Sequence, residues 1–457
     1  MKLINTFIKN RRPQQWSRAL ILLLIAAAAI VWINTNRNPV AAGNAAVLSV
    51  IELQTTNAPM LPGVLQAINN GHGDQFDPHV DCNLVSYTDK DLLGASRIRY
   101  FDFATNTDHL IPGDTADSLS DVSGGYIVFE QANTDGTVSG PRIGIFDVAS
   151  QTRGGLAGIN SPSIGGNFIS FDDRLQRKSL PSDVGVYKIG VGAIARLSND
   201  DLFDRNAVMS STGNAVVWEK CQTNESGCDI YAAIQTSPNV FAVNALTGAE
   251  GEDRDPSTNG QIAVYTSNRN GETDIYIGSL AGNAETRLSI SGDQRDPHIA
   301  GNLIVFQSQV QDGSYDVFVY DLGTGKLYRV TDTPVNETLN DITVCNDTGR
   351  LVYTAQAADS DVYAFTFQPP GLTANQVNKL IGTVQSFELS DGIKNSLKTK
   401  LQEALAAING SDTALACDSL TAFINATQAQ SGKKLTADQA SQLISSANQI
   451  KTNLGCQ

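Results

Sequence analysis

Short runs of β-branched and aromatic residues, bounded by glycine and polar positions, recur along the middle of the chain. Aligned on a closing aromatic, they read Leu84-Val85-Ser86-Tyr87, Tyr126-Ile127-Val128-Phe129 and Phe168-Ile169-Ser170-Phe171. Ala215-Val216-Val217-Trp218, Ile262-Ala263-Val264-Tyr265, Leu303-Ile304-Val305-Phe306 and Arg350-Leu351-Val352-Tyr353 follow. The seven aromatics fall 41 to 47 residues apart. A second run trails most of them, as in Asp274-Ile275-Tyr276-Ile277 and Asp316-Val317-Phe318-Val319. Such runs predict strands, and a repeat near 40 residues predicts one propeller blade per unit. The fold class is therefore mainly β, a seven-bladed β-propeller with six blades as the alternative. A propeller must close its ring, because an open first or last sheet leaves a free edge. The last unit ends at Phe367-Gln368-Pro369-Pro370 without a closing strand. The strand-like segment Ala46–Leu53 belongs to no unit and is expected to supply it.

Past Pro370 the period becomes helical. Val377, Leu380, Ile381 and Val384 share one face, then Ile393, Leu397, Leu401, Leu405 and Ile408. Cys417, Leu420, Phe423 and Ile424 mark a third stripe; Ala440, Leu443, Ile444, Ala447 and Ile450 mark a fourth. Thr373–Gln376 and Thr436–Gln439 read as capping boxes. Residues 371–457 are thus expected to form a small four-helix bundle, and 43–370 the propeller.

The units at Asp255 and Asp296 keep a D-P…G-N…(Y/F)-x-S…D-(I/V)-(Y/F)…R-(L/V)-(T/S) pattern, closing at Arg287-Leu288-Ser289 and Arg329-Val330-Thr331. In this the chain resembles the TolB-like propeller family over roughly residues 45 to 368. Units two to four depart most, since none carries Asp-Pro. The C-terminal segment resembles the FIMAH domain, a helical module at the ends of exported bacterial proteins. Asn395–Leu401, Ala416–Asn425, Gln430–Thr436 and Leu454-Gly455-Cys456 carry that likeness. It implies an accessory or interaction role and transfers no catalytic residue.

Charge places the chain in the cell. Residues 1–42 hold six Lys/Arg and no acid; Lys2, Lys9, Arg11, Arg12 and Arg18 precede an apolar run from Ala19 to Ile33, and a small-residue stretch Val40-Ala41-Ala42 ends the segment. This reads as a cleaved export signal or an uncleaved N-terminal anchor, and either leaves the body extracytoplasmic: secreted, periplasmic or membrane-tethered. The membrane enters only through this segment. The whole chain carries −15, and the strand-rich middle is more acidic still. Such a field repels phosphate backbones, so nucleic acid is not an expected partner. A cationic envelope protein or glycan is. Six cysteines in an exported chain predict disulfides. Cys221–Cys228 flank one loop, Cys417–Cys456 tie a helix to the chain end, and Cys82–Cys345 hold similar places in units one and seven.

Catalytic motifs are missing. There is no G-x-S-x-G, H-E-x-x-H or P-loop, and only four histidines: His72, His79, His109 and His298. One constellation is suggestive. Asp77-Pro78-His79 opens the first unit and Asp296-Pro297-His298 the sixth. Innermost propeller strands start near the central channel, so Asp77, His79, Asp296 and His298 are candidate binding residues at its mouth. Imidazole and carboxylate also suit a divalent metal, with His79 and His298 as ligands, although in a seven-blade ring unit seven separates them and offers Asn340-Asp341. The simpler account is that Asp caps the turn, Pro fixes φ and His packs between blades. Arg254-Asp255 and Arg295-Asp296 are either a ligand-reading rim or an ion pair repeated between blades. The sequence therefore predicts a non-catalytic binding or scaffold propeller needing no cofactor. The alternatives are a metal-dependent lyase of acidic oligosaccharides using channel histidines, and a surface adhesion component.

Overall fold

The computed structural model describes residues 47–456, apart from 114–115, 132–141, 174–180, 224–225, 249, 283, 312 and 411. The basic and apolar segment 1–42 lies outside the described residues, as does Ala46.

Seven sheets form seven blades. Their innermost strands, blade 1 to blade 7, are Asp74–Asp81, Ser118–Ser123, Asn160–Gly165, Phe203–Met209, Asp253–Thr258, Gln294–Ala300 and Asn336–Cys345. The runs that end in an aromatic are the second strand of every blade. They read as nearly unbroken apolar stretches because both faces are covered by neighbouring blades: Leu303–Ser308 is buried at every position. The aromatics Tyr87, Phe129, Trp218, Tyr265 and Phe306 are at most 1% exposed. In blades 5, 6 and 7 the aromatic stacks on the residue opposite it in the third strand, Tyr265 on Tyr276, Phe306 on Phe318 and Tyr353 on Tyr363, with ring centres 5.7–6.2 Å apart. In blades 2 and 3 the opposite residue is Gly144 or Gly185 instead. A Cβ there would lie 2.3 Å or 2.5 Å from the Phe129 or Phe171 ring.

Ring closure differs from the expectation. Strand β1 (Val47–Glu52) does not complete blade 7. It runs parallel to Ala284–Ser289 as a fifth strand outside blade 5. The chain then touches the outer strand of blade 6 through a bridge between Met60 and Arg329. Strand β2 (Gly63–Asn69) pairs antiparallel with Ser360–Phe367 and closes blade 7. The reason is reach. Only four residues separate Asn69 from Asp74, where blade 1 begins, so β2 is held beside blade 7 by its own connection. Pro369 and Pro370 prevent blade 7 from continuing its own ladder, because proline brings no N–H.

After Phe367 come helices α1 (Leu372–Ser386), α2 (Asp391–Asn409), α3 (Thr413–Gln430) and α4 (Ala437–Asn453). Val377, Leu380, Val384, Leu397, Leu401, Leu420, Phe423, Leu443 and Ile450 make their common core. The capping box expected at Thr436 is present: Gln439 N–H donates to Thr436 Oγ1 at 3.1 Å, and Thr436 N–H donates to Gln439 Oε1 at 3.0 Å. The box expected at Thr373 is not. Helix α1 starts two residues earlier, behind Gly371 at φ 70°, and the side-chain amide of Gln376 donates to Asp347 Oδ2 at 2.7 Å. Among the described residues no helix is long and apolar enough to cross a membrane. Disulfides join Cys82 to Cys345, Cys221 to Cys228 and Cys417 to Cys456.

Candidate functional site

Every inner strand carries a β-bulge opposite the buried aromatic of its second strand. The register slips at Phe76/His79, Ser118/Ser120, Asn160/Ser163, Arg205/Val208, Arg254/Ser257, Arg295/His298 and Leu339/Asp341. In six blades a residue of the bulge is left-handed: Asp77, Leu119, Ser161, Asn206, Asp255 and Asp296, with φ between 49° and 55°. Asp and Asn are the side chains that tolerate this conformation best. The Asp of the Asp-Pro pairs at 77, 255 and 296 is therefore first of all the bulge residue of its blade. A bulge bends the strand and re-aims the next side chain.

Past the bulge each blade presents one residue at the same register, paired with the position just before the buried aromatic. The ring reads His79, Asp121, Ser163, Val208, Ser257, His298, Asp341. All seven line one channel cavity of about 570 Å³. The ring is asymmetric. Blades 3 to 5 contribute Ser163, Val208 and Ser257. Blades 6, 7, 1 and 2 contribute a charged arc of His298, Asp341, His79 and Asp121.

Within the arc, His79 Nδ1 lies 3.6 Å from Asp121 Oδ1 and 3.7 Å from Asp341 Oδ2, and its Nε2 lies 3.6 Å from Asp77 Oδ1. His298 Nδ1 lies 3.9 Å from Asp341 Oδ1. Asp341 thus stands between the two histidines. Backbone amides fix both central carboxylates. Asp341 accepts from Val80 N–H at 2.9 Å and Ile342 N–H at 2.7 Å; Asp121 accepts from Ile164 N–H at 2.8 Å and Val122 N–H at 2.7 Å. The Val80 and Ile164 bonds each cross to the next blade.

This crowding separates the two imidazoles. Burial alone would lower the pKa of His79, but Asp121, Asp341 and Asp77 outweigh it and raise it well above the ordinary value. Burial, helped by the nearby His79 charge and only partly opposed by Asp341, pushes His298 down to about 4. Burial also lifts Asp121 to about 6, with His79 pulling it down and Asp341 pushing it up.

Of the residues singled out from the sequence, Asp77, His79 and His298 line this cavity. Arg254, Asp255, Arg295 and Asp296 do not. Glu219, 1% exposed, accepts from Arg205 Nε at 2.9 Å, Asn206 Nδ2 at 2.8 Å and Asp255 N–H at 3.0 Å, with Arg254 at 3.8 Å. Arg254 also pairs with Glu252 at 3.0 Å. The Arg295 guanidinium stacks 3.5 Å from the centre of the Tyr315 ring. Arg254 and Asp255 thus join blade 5 to Glu219 of blade 4 and hold blades together. Sequence reasoning missed Asp121, whose unit lacks the Asp-Pro signature. The signal was available: in units one, two, three, five and six the ring residue lies eight positions before the aromatic.

No protein-family model and no curated protein matches the chain. Solved structures do. The β-propeller domain of the trilobed protease of Pyrococcus furiosus, described as having an open velcro topology, aligns at TM-score 0.50 and 12% identity, over 66% of this chain and 96% of that one. Pyrococcus horikoshii acylaminoacyl peptidase aligns at TM-score 0.47 and 12% identity, over 63% of this chain and 52% of that one. TolB of Acinetobacter baumannii aligns at TM-score 0.35 and 14% identity, over 64% of this chain and 79% of that one. The chain spans about half the length of the peptidase. At these identities the likeness establishes the propeller fold and nothing about chemistry.

Proposed function

We propose that the protein is an extracytoplasmic binding propeller of the cell envelope, which takes a cationic ligand in the channel cup. The observation that carries this is the ring, in which acidic side chains converge from separate blades on one arc of a preformed concavity. Ligands favour such concavities with a few convergent polar groups, and the net charge of −15 favours a cationic partner. Three disulfides and the basic, apolar N-terminal segment support a location outside the cytoplasm. The C-terminal helices are read as a FIMAH-type docking module. Both nitrogens of His79 face carboxylates, which leaves it poorly placed as a base for a serine nucleophile. A basic oligosaccharide or peptide should bind the purified chain with a salt-sensitive affinity and lose that affinity in Asp121→Asn/Asp341→Asn. Equal binding by that double variant would sink the channel reading. The second reading, a metal-dependent lyase of acidic oligosaccharides, draws support from the same His–Asp cluster. Cleavage of acidic oligosaccharides only when a divalent metal is added would favour it.

A further inference from the structure

We propose that the charged arc is a divalent-metal site, with His79 Nδ1, Asp121 Oδ1 and Asp341 Oδ2 as ligands to a first-row transition ion of the zinc type. This rests on the channel being the ligand site, and it names the cation which the acidic arc takes.

The distances carry the inference. The three atoms lie within 4.8 Å of one another, and Nδ1 is 3.6 Å and 3.7 Å from the two oxygens. Those spacings exceed a hydrogen bond, which is at most about 3.2 Å for N–H to O. They match the edge of a coordination polyhedron: ligands about 2.0–2.2 Å from a zinc-like ion in tetrahedral to trigonal geometry stand roughly 3.3–3.8 Å apart. A wide gap that three complementary donors share and none closes is the arrangement an ion fills.

The surroundings fit as well. The backbone amides of Val80, Val122, Ile164 and Ile342 aim the carboxylates. Asp77 faces His79 Nε2, the side that carries the ring N–H when Nδ1 is a ligand. Carboxylate–histidine pairs of this kind orient metal-bound imidazoles. About a quarter of the His79 side chain is exposed, toward the cavity, so coordination positions remain open to the lumen. One imidazole and two carboxylates suit a transition ion better than calcium, which takes six to eight oxygens. His298 stands on the far oxygen of Asp341 and is not a ligand.

The test uses the purified full chain, stripped with a chelator and titrated calorimetrically with zinc chloride, with cobalt(II) as a spectroscopic probe. One ion per chain should bind, with a visible cobalt band from nitrogen and oxygen ligands. His79→Gln, Asp121→Asn and Asp341→Asn should each abolish the band, whereas His298→Gln and Ser163→Ala should keep it. Asp77→Asn should weaken zinc about 10-fold. A thermal melt of each variant separates lost ligands from a lost fold. Should a variant not fold, the wild-type titration still decides. Absence of stoichiometric zinc binding to the folded wild type overturns the proposal, and so does a cobalt band that survives Asp121→Asn/Asp341→Asn. A basic ligand still bound by the channel in either case leaves the broader channel reading standing. Loss of both defeats both.

Discussion

The Cys82–Cys345 disulfide should be the largest single covalent contribution to stability. It joins the inner-strand ends of blades 1 and 7, which are neighbours only because the ring is closed. Its two cysteines are 263 residues apart, against 39 for Cys417–Cys456 and 7 for Cys221–Cys228. A cross-link restricts the unfolded chain by an entropy that grows with the logarithm of the loop. At 25 °C the three separations give about 5–6, about 4 and about 2–3 kcal/mol in that order. The experiment is equilibrium urea unfolding of Cys82→Ser/Cys345→Ser and of the other two serine pairs under non-oxidising conditions, followed by circular dichroism. The midpoint loss should rank with the separations, and the blade 1–7 pair should lose several kcal/mol while keeping its native spectrum. A loss below about 1 kcal/mol, or one smaller than that of the 221–228 pair, would refute the claim that this bond spans a loop the unfolded chain would otherwise leave open.

Truncation should divide the two N-terminal strands. Removing residues up to 55 deletes β1 and leaves blade 7 closed, so unfolding in urea stays cooperative; removing residues up to 70 also deletes β2 and should broaden the transition. Glu219 is buried and accepts from three donors, so Glu219→Ala should cost about 3–5 kcal/mol in the same assay; a loss within 1 kcal/mol would show that the inter-blade network is dispensable. Burial holds the Asp204 carboxyl at about 6, against the pull of Lys220. The folded chain therefore keeps a proton that the unfolded chain gives up near its ordinary value of 3.8. The stability from this group is fully present below about pH 4 and is lost as pH rises to about 6. Asp204→Asn should flatten the fall in melting temperature between about pH 4 and about pH 6, and an unchanged slope would contradict this.

The second strands were legible because burial on both faces gives them an apolar composition that survives divergence among the units. The Cys82–Cys345 pair was legible for the same reason, since matching positions in units one and seven become neighbours once seven blades close. Strand β2 was not. Six of its seven positions are exposed or half-exposed, with Val64 and Leu65 facing solvent at 68% and 54%, so it shows no alternation to read. Strand β1 has a stronger apolar pattern and drew the assignment that belongs to β2. Asp121 was hidden because Leu119, not Asp, holds the left-handed bulge in its blade. A motif search keyed on Asp-Pro finds the bulge residue, whereas the side chain that faces the lumen comes two places later.

The charged arc and the seam of the ring coincide. Blade 7 is built from two distant parts of the chain, β2 and Asn336–Phe367, and it contributes Asp341. Blade 1 follows directly and contributes His79. The Asp341 carboxylate accepts the amide of Val80, so the group that faces His79 also fastens blade 7 to blade 1. Arg350 adds a second fastening nearby, donating to the carbonyl of Cys82 at 2.6 Å, beside the disulfide. Ligand-facing groups and closing contacts therefore share atoms. Anything that draws the Asp341 oxygen toward the lumen acts on the Val80 bond, and anything that loosens the seam shifts His79 against Asp341. The same kind of bond recurs where Asp121 accepts from Ile164 N–H at 2.8 Å and Ser163 from Met209 N–H at 3.1 Å, but only the Asp341–Val80 bond lies at the seam between the first and last blades. A ligand that neutralises the arc should thus raise the unfolding midpoint of the wild type and should raise it less in Cys82→Ser/Cys345→Ser, where the seam is free to move. Equal ligand-induced shifts in the two proteins would show that site and seam are neighbours without being coupled.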